Sequence, residues 1–216
     1  MKISSAVLLG SLAFAIGGCQ PTTAMNPSSS NSPAGSAMPV AVQGRPIRLE
    51  NLTALGKVGK DGTAKVKIAG AELEVKIKLI SENQLEELVI SRDDVELERE
   101  SYKRTPNELG ATAALGSEFV PPITLLKAPM TVGDSWTWKG TVTEGGPVRN
   151  ATATIKTSAD RVELPTSSVD AIRVDVDLAM ESGGPNPAKR TLIYWCAPGH
   201  GVIQRKFGSS ERNAAE

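Results

Sequence analysis

Hydrophobic and polar residues alternate along most of the chain that follows Val40, with a period of two residues. In residues 72–79 (ELEVKIKL) the apolar positions are separated by glutamate and lysine, and in residues 172–178 (IRVDVDL) they are separated by arginine and aspartate. A period of two predicts β-strands that each have one buried and one solvated face. The pattern therefore indicates a protein built mainly of strands.

Two shorter stretches alternate in the same way. Val95 and Leu97 alternate with Glu96 and Glu98, so we expect the two apolar side chains on the buried face of a strand and the two glutamates in solvent. Residues 65–68 (KVKI) alternate in the phase opposite to that of the strand that follows them. The change of phase at residues 69–71 (AGA) predicts a bulge or a tight turn there.

Turn-forming residues separate these strands at short intervals. The chain has 20 glycines and 14 prolines, and they cluster at residues 60–62 (KDG), 145–147 (GGP) and 183–187 (GGPNP). Only residues 82–90 and 106–115 have a pattern compatible with short helices. Strands in series with one wet face predict a mainly β fold, either a curved antiparallel sheet or a partly closed half-barrel, with one or two short helices.

The N-terminus carries a different pattern. Met1 and Lys2 form a short positive region, and residues 6–16 (AVLLGSLAFAI) form an apolar segment too short to span a bilayer. Residues 16–19 (IGGC) end this region and resemble the lipobox of bacterial lipoprotein signal peptides. In that family the cysteine thiol receives a diacylglycerol and the peptide is cut before the cysteine. The resemblance implies that residues 1–18 are a signal peptide and that Cys19 is the lipidated first residue of the mature protein.

The residues after the cysteine indicate which membrane would hold the protein and how the domain would be connected to it. Gln20 stands where an aspartate would retain a Gram-negative lipoprotein in the inner membrane, so the resemblance implies an outer-membrane anchor that faces the periplasm. Residues 20–39 are rich in serine, proline, alanine and asparagine and contain no charged residue, a composition that buries too little apolar surface to fold. We expect residues 19–39 to form a disordered tether and residues 40–216 to form a single β-rich domain.

Charge and composition argue against several classes of function. Lysine plus arginine and aspartate plus glutamate each total 24, so no basic surface for nucleic acid is indicated. The chain has one histidine and two cysteines, which are too few to complete a structural metal site, or a disulfide framework once Cys19 is lipidated. We therefore expect no metal, no cofactor and no nucleic-acid partner.

The C-terminal half contains an ordered set of motifs. Residues 120–136 (VPPITLLKAPMTVGDSW) hold a proline pair, an apolar run, a proline and Gly-x-x-Trp; residues 163–174 (ELPTSSVDAIRV) and 194–202 (YWCAPGHGV) follow in that order. The series resembles a domain of uncharacterised bacterial secreted proteins, whose fold looks like the half-barrel of periplasmic lipoprotein carriers. The resemblance implies a strongly curved antiparallel sheet with an apolar concave face, and it carries no established function.

Cys196 and His200 form the one pair in the chain that suggests a nucleophile and its base. Between them, Pro198 fixes φ and Gly199 supplies a positive φ, as in a tight turn. No third polar group and no hydrolase signature accompanies the pair. We interpret it as a turn between two strands; lining of a ligand site, and catalysis or metal binding, are the alternatives.

The tryptophans suggest a binding face. Trp136 and Trp138 share one face of a strand, whereas Tyr194 and Trp195 point to opposite faces of another, so one of the latter two can join a cluster with the pair. Such a cluster either plugs the core or forms the aromatic floor of an apolar groove. These four residues are therefore the candidate ligand-binding residues.

Together these patterns favour a non-catalytic, lipid-anchored envelope lipoprotein. One hypothesis is a groove of the curved sheet that binds an apolar ligand such as a lipid or an acyl chain. The alternative is a structural or protein-partner-binding envelope module with a filled core, and a hydrolase is the third hypothesis. The first two differ in whether the concave face of the sheet is open.

Overall fold

The structure, a computed structural model, describes residues 48–68, 71–164 and 167–209. The predicted signal peptide, the predicted lipidation site at Cys19 and the predicted tether lie outside these residues, as do two of the three residues of the turn predicted at 69–71. No helix in the described part of the chain is long and apolar enough to cross a membrane.

Thirteen β-strands make up nearly all the regular structure of the described residues. In chain order they are β1 (Arg48–Leu49), β2 (Gly62–Ile68), β3 (Ala71–Glu82), β4 (Leu85–Arg92), β5 (Val95–Arg104), β6 (Glu108–Ala114), β7 (Ser117–Lys127), β8 (Met130–Thr131), β9 (Ser135–Thr143), β10 (Arg149–Glu163), β11 (Ser168–Met180), β12 (Ala188–Ala197) and β13 (Gly201–Ser209). One turn of 3-10 helix at Thr53–Leu55 is the helical element in this part of the chain. The mainly β fold class is confirmed.

Eleven of the described strands form one antiparallel sheet, in the order β13-β12-β11-β10-β9-β7-β6-β5-β4-β3-β2. Neighbours in the chain are neighbours in the sheet, except that β8 leaves it to pair with β1. The predicted turns at residues 145–147 and 183–187 connect β9 to β10 and β11 to β12. Because β2 and β13 are both edges, the sheet is not closed into a barrel.

The sheet curves so strongly that its two halves face each other. The rings of Tyr102 on β5 and Tyr194 on β12 have centroids 6.3 Å apart, although six steps in the sheet order separate these strands. Arg205 on the edge strand β13 likewise forms an ion pair with Glu100 on β5. The concave face therefore encloses the core of the molecule.

One large apolar cluster fills that concave face. Among its members, Leu88, Ile123, Ile155 and Val176 have no exposed surface. Full burial of such a side chain contributes about 1.5–3 kcal/mol to the free energy of folding. A smaller cluster around Trp195 packs on the opposite, convex face of β10 to β13.

Both predicted helices are wrong, because these residues form strands. Residues 82–90 comprise the end of β3, a turn and most of β4, and residues 106–115 contain β6. Leu85, Leu88 and Val89 have a spacing that also fits a helix. However, Asn83 has φ 55° and reverses the chain, and β4 then pairs with β3 and β5. Pairing with distant residues overrides the local pattern.

The predicted facing of β5 is also wrong. Val95 and Leu97 are 62% and 43% exposed, whereas Glu98 is partly buried and Glu100 is fully buried. The apolar side chains at the start of this strand lie in solvent, and two glutamates point towards the core.

A β-bulge in β5 reverses the facing from Leu97 onward. Ile90 of β4 pairs with Glu98, but the next residue, Ser91, pairs with Glu96, so Leu97 is an extra residue in the ladder. One extra residue shifts the phase of a strand by one position and moves every following side chain to the other face. A local alternation pattern does not reveal where such an insertion occurs.

Candidate functional site

Trp136 and Trp138 of β9 both lie on the concave face. Trp138 donates its indole N–H to the carbonyl oxygen of Pro121 at 3.1 Å, and Trp136 donates to the carbonyl oxygen of Thr124 at 2.9 Å. The ladder between β7 and β9 reaches only to Val120, so both carbonyls lie beyond it. The indoles therefore replace backbone amides as donors to this part of β7.

These contacts place the tryptophan pair within the packed core. Trp138 is only 6% exposed. Trp136 is partly buried, and the Lys127 ammonium lies 4.9 Å from its ring centroid, which is within the range of a cation–π interaction. Both rings pack with the main apolar cluster.

Tyr194 is the residue of β12 that shares the concave face with the tryptophan pair. It is completely buried. Its ring makes edge contacts with Tyr102, at a centroid distance of 6.3 Å, and with Phe207, at 5.6 Å. Three of the four candidate residues are thus brought to one face.

Trp195 lies on the other face of β12. Its indole N–H is donated to Asp160 at 2.8 Å, and the Arg173 guanidinium lies 5.6 Å from its ring centroid. This hydrogen bond is the main reason that the pKa of the Asp160 carboxyl is lowered. Because it faces away from the core, Trp195 does not line the same surface as Trp138 and Tyr194.

The concave face also contains a buried ion pair. Arg205 Nε lies 2.7 Å from Glu100 Oε2, and the two side chains are 5% and 0% exposed. Tyr102 donates its hydroxyl to Glu100 at 2.5 Å and accepts a hydrogen bond from Arg205 at 3.1 Å. Burial alone would lower the pKa of Arg205, but Glu100 and Tyr102 raise it above its usual value. The guanidinium is therefore charged.

Two polar atoms of this region lack a hydrogen-bond partner within the described part of the chain. They are Oε1 of Glu100 and the hydroxyl of Tyr194. Burial, followed by the nearby Glu100 carboxylate, raises the pKa of Tyr194 well above its usual value, so this hydroxyl stays protonated. The buried pair and these two atoms form the most polar part of the concave face.

Glu98 lies beside this polar region on the same strand. Its Oε1 accepts a hydrogen bond from the backbone N–H of Leu115 at 2.6 Å. Burial, and secondly the Glu100 carboxylate, raise the pKa of Glu98 from 4.5 to about 7, while backbone donors of Leu115 and Gly116 oppose the shift. Glu98 therefore changes its charge near neutral pH.

Residues 52–58, which we call the cover segment, pack onto the concave face from outside the sheet. Leu52, Leu55 and Val58 are 0%, 3% and 1% exposed and belong to the main apolar cluster. These three side chains recur at every third residue, so one side of the segment is apolar. The cover segment thus supplies part of the core that the curved sheet alone leaves uncovered.

Charged side chains of the sheet form hydrogen bonds with backbone groups of the cover segment. Arg104 donates to the carbonyl oxygen of Leu52 at 2.8 Å, and Glu86 accepts the N–H of Val58 at 2.7 Å. Arg205 donates to the carbonyl oxygen of Val58 at 3.1 Å. A buried segment outside a ladder needs such partners, because unpaired backbone groups are costly to bury.

The turn between β12 and β13 holds the same segment. The N–H of Gly199 is donated to the carbonyl oxygen of Ala54 at 2.6 Å. Gly199 has φ 73°, which confirms the predicted turn, and Gly201 has φ 71°. A Cβ atom on Gly201 would lie 1.5 Å from the carbonyl oxygen of Lys57, so only glycine permits this approach.

Cys196 and His200 lie in different environments. Cys196 is completely buried, and burial raises the pKa of its thiol to about 12, although Arg205 and Arg104 oppose the shift. His200 is exposed on the turn. A thiol that remains protonated is a poor nucleophile and a poor metal ligand. The geometry supports the interpretation of this pair as a structural turn.

The described ranges contain no group of three or more histidine, cysteine, aspartate or glutamate side chains that could hold a metal ion. No protein-family model matches the chain, and searches of curated proteins and of solved structures find nothing significantly similar to it. The interpretation of the site therefore rests on its own geometry.

Sequence reasoning missed the buried polar residues, although the sequence contains a signal for them. Tyr102 has the same parity along β5 as Glu98 and Glu100, so an inward-facing tyrosine brings both glutamates inward. Arg205 likewise shares its parity with the buried Phe207 on β13. Until the distant partner of Glu98 or Glu100 is known, the sequence more readily suggests that the carboxylate lies in solvent.

Proposed function

We propose that the protein is a non-catalytic, lipid-anchored envelope lipoprotein whose β-domain is a structural or partner-binding module with a filled core. The observation that carries this proposal is the packing of the concave face. Leu52, Leu55 and Val58 of the cover segment occupy the place where an apolar ligand would bind, and none is more than 3% exposed. Trp138 and Tyr194, which belong to the same apolar cluster, are buried as well.

The proposed anchor is Cys19, and the support for it is the sequence of residues 16–19 with the apolar segment before it. Acylation at this residue would hold the domain on the extracytoplasmic side of a membrane, facing the periplasm at the outer membrane of a Gram-negative cell. Two or three acyl chains give stable anchoring, because each buried CH2 group contributes about 0.8 kcal/mol. Residues 20–39 would then separate the domain from the bilayer.

The environment of Cys196 and His200 supports the non-catalytic part of the proposal. A nucleophilic cysteine needs an accessible thiolate and a base within hydrogen-bond reach. Here burial raises the pKa of the thiol to about 12, and the imidazole lies in solvent.

An apolar-ligand groove is the second candidate function, and one observation favours it. The cover segment lies outside the sheet ladder and is anchored by three apolar side chains and a small set of hydrogen bonds. Its displacement would uncover part of the apolar cluster to which Trp138 and Tyr194 belong. A lipid or acyl chain is the ligand class that such a surface fits.

Vesicle flotation tests the proposed function. The protein is expressed with its N-terminal residues in a bacterial host that acylates lipoproteins, purified, and mixed with phosphatidylethanolamine–phosphatidylglycerol vesicles. We expect the wild-type protein to float with the vesicles and the Cys19→Ala variant to remain in the soluble fraction. Mass spectrometry of the N-terminal peptide verifies the acylation of the wild-type protein.

The two remaining outcomes contradict different parts of the proposal. Equal solubility of the wild-type protein and the Cys19→Ala variant would refute the lipid anchor. Equal flotation of both would show that the domain itself binds lipid, which would replace the filled-core module by the apolar-ligand groove.

A further inference from the structure

At the start of β5, an apolar side chain lies in solvent and the acidic side chain next to it points towards the core. Leu97 is 43% exposed, and the next residue, Glu98, is partly buried on the concave face. Exposure of a leucine and burial of a carboxyl group are both unfavourable. The alternation of the sequence predicts the opposite facing for both residues, so the sequence pattern and the observed arrangement of the strand disagree here.

The bulge decides which arrangement is adopted. It lies between the pair Ile90–Glu98 and the pair Ser91–Glu96, with Leu97 as the extra residue. A shift of the bulge by one residue would pair Ile90 with Leu97 and would make Glu98 the extra residue. All other pairs between β4 and β5 would be kept, so the exchange needs no sliding of the strand.

Neutral and apolar groups from the adjacent elements hold Glu98 in its present position. Ile90 on β4 lies opposite Glu98 in the ladder. From the turn between β6 and β7, Leu115 donates its backbone N–H at 2.6 Å, and the backbone of Gly116 also interacts with the carboxyl group. An inward Glu98 is thus accommodated, but no cation is paired with it in the described structure.

The titratable groups that face Glu98 disfavour its ionised form. On its own strand, Glu100 raises the pKa of Glu98, which is about 7. On β12, the hydroxyl of Tyr194 is close enough for Glu98 to raise the pKa of Tyr194. Arg205, the buried cation of this region, is engaged by Glu100 at 2.7 Å. Ionisation therefore places a second negative charge in a buried region that has one bound cation.

We propose that the bulge in β5 moves by one residue when Glu98 ionises, so that Leu97 turns onto the concave face and Glu98 turns into solvent. Protonated Glu98 keeps the arrangement in which Leu97 is exposed, and ionised Glu98 adopts the alternating arrangement. The exchange replaces an exposed leucine by a carboxylate on the convex surface of β5. Protonation of Glu98 would thus control whether the exposed side of this strand carries an apolar or a charged side chain.

Nuclear magnetic resonance of the full-length protein tests this switch. Leucine and isoleucine methyl groups are labelled, and nuclear Overhauser contacts are recorded from about pH 5 to about pH 9, a range that spans the titration of Glu98. We expect no contact between the methyl groups of Leu97 and Ile90 at the lower end and a clear contact at the upper end. The change should follow the titration of the Glu98 carboxyl carbon.

Two glutamine variants separate this switch from general effects of pH. Glu98→Gln should keep the low-pH contacts throughout, whereas Glu96→Gln, a change at an exposed residue paired with Arg99, should retain the transition. The proposal is overturned if Leu97 contacts stay constant while Glu98 titrates. It is also overturned if the Glu98→Gln variant shows the same change. The wild-type titration decides the matter even if a variant does not fold.

Discussion

A single guanidinium joins three distant parts of the chain. Arg205 on β13 forms an ion pair with Glu100, donates a hydrogen bond to the Tyr102 hydroxyl, and donates another to the carbonyl oxygen of Val58 in the cover segment. Charges taken out of water are costly unless every group is paired. This arrangement makes Arg205 the residue on which the edge strand, the centre of the sheet and the cover segment all depend.

Removal of this charge should destabilise the fold strongly. We expect Arg205→Met to lower the free energy of unfolding by about 3–5 kcal/mol, because it leaves the Glu100 carboxylate buried without a partner. Glu100→Gln in the same chain should restore part of the loss. Urea unfolding of the single and double variants measures both effects. Arg99→Met, which removes two ion pairs at the surface, is the control and should have little effect. A similarly small effect of Arg205→Met would show that the buried ion pair is not important for stability.

Glu98 should make the stability depend on pH. Its folded pKa of about 7 exceeds the usual 4.5, so its stabilising contribution is complete below about pH 4.5 and is lost as the pH rises to about 7. The difference corresponds to at most about 3 kcal/mol. We expect Glu98→Gln to be more stable than wild type at pH 8, with a smaller advantage at pH 5, in urea unfolding at the two pH values. An advantage of equal size at both would show that Glu98 does not titrate in this range.

Strands with a regular alternation of apolar and charged residues were predictable, whereas the facing of β5 and the fold of residues 82–90 were not. The alternation in residues 72–79 and 172–178 predicted β3 and β11 because each needs only its own sequence. The same rule failed in β5, where the bulge at Leu97 reverses the facing. It failed again in residues 82–90, where the apolar spacing fits both a helix and a strand and the pairing with β3 and β5 decides.

The turn between β12 and β13 provides a test of how the cover segment is held. Gly199 and Gly201 both have positive φ, so alanine should cost about 1 kcal/mol at either position. At Gly201 the added Cβ would also meet the carbonyl oxygen of Lys57, and displacement of that backbone should cost about a further 1–3 kcal/mol. Thermal melts of the two alanine variants measure the difference. His200→Ala, at an exposed residue, serves as the control.

The interpretation of the turn has a clear alternative. Equal shifts of the melting temperature in Gly199→Ala and Gly201→Ala would mean that the cover segment does not depend on the close approach of Lys57 to Gly201. A large shift in His200→Ala would mean that the imidazole has a structural role that its exposure does not suggest.

At the scale of the whole molecule, the sequence predicted a curved antiparallel sheet but not what fills it. One of Tyr194 and Trp195 was predicted to share a face with the tryptophan pair, and the structure shows that it is Tyr194. The covering of that face by Leu52, Leu55 and Val58 was missed, because this segment has no period of two and its partners lie elsewhere in the chain. Whether a concave face is a groove or a core depends on such nonlocal contacts.

If the chain's own cover segment fills the concave face, an added fatty acid should find no binding site there, and a ligand titration measures this. Palmitate is titrated into the full-length protein, and tryptophan emission is recorded, because Trp138 belongs to the same apolar cluster as the side chains of the cover segment. A filled concave face should give no saturable change at high micromolar palmitate. A saturable change that disappears in a folded Trp138→Phe variant would contradict it and would assign the concave face to an apolar ligand.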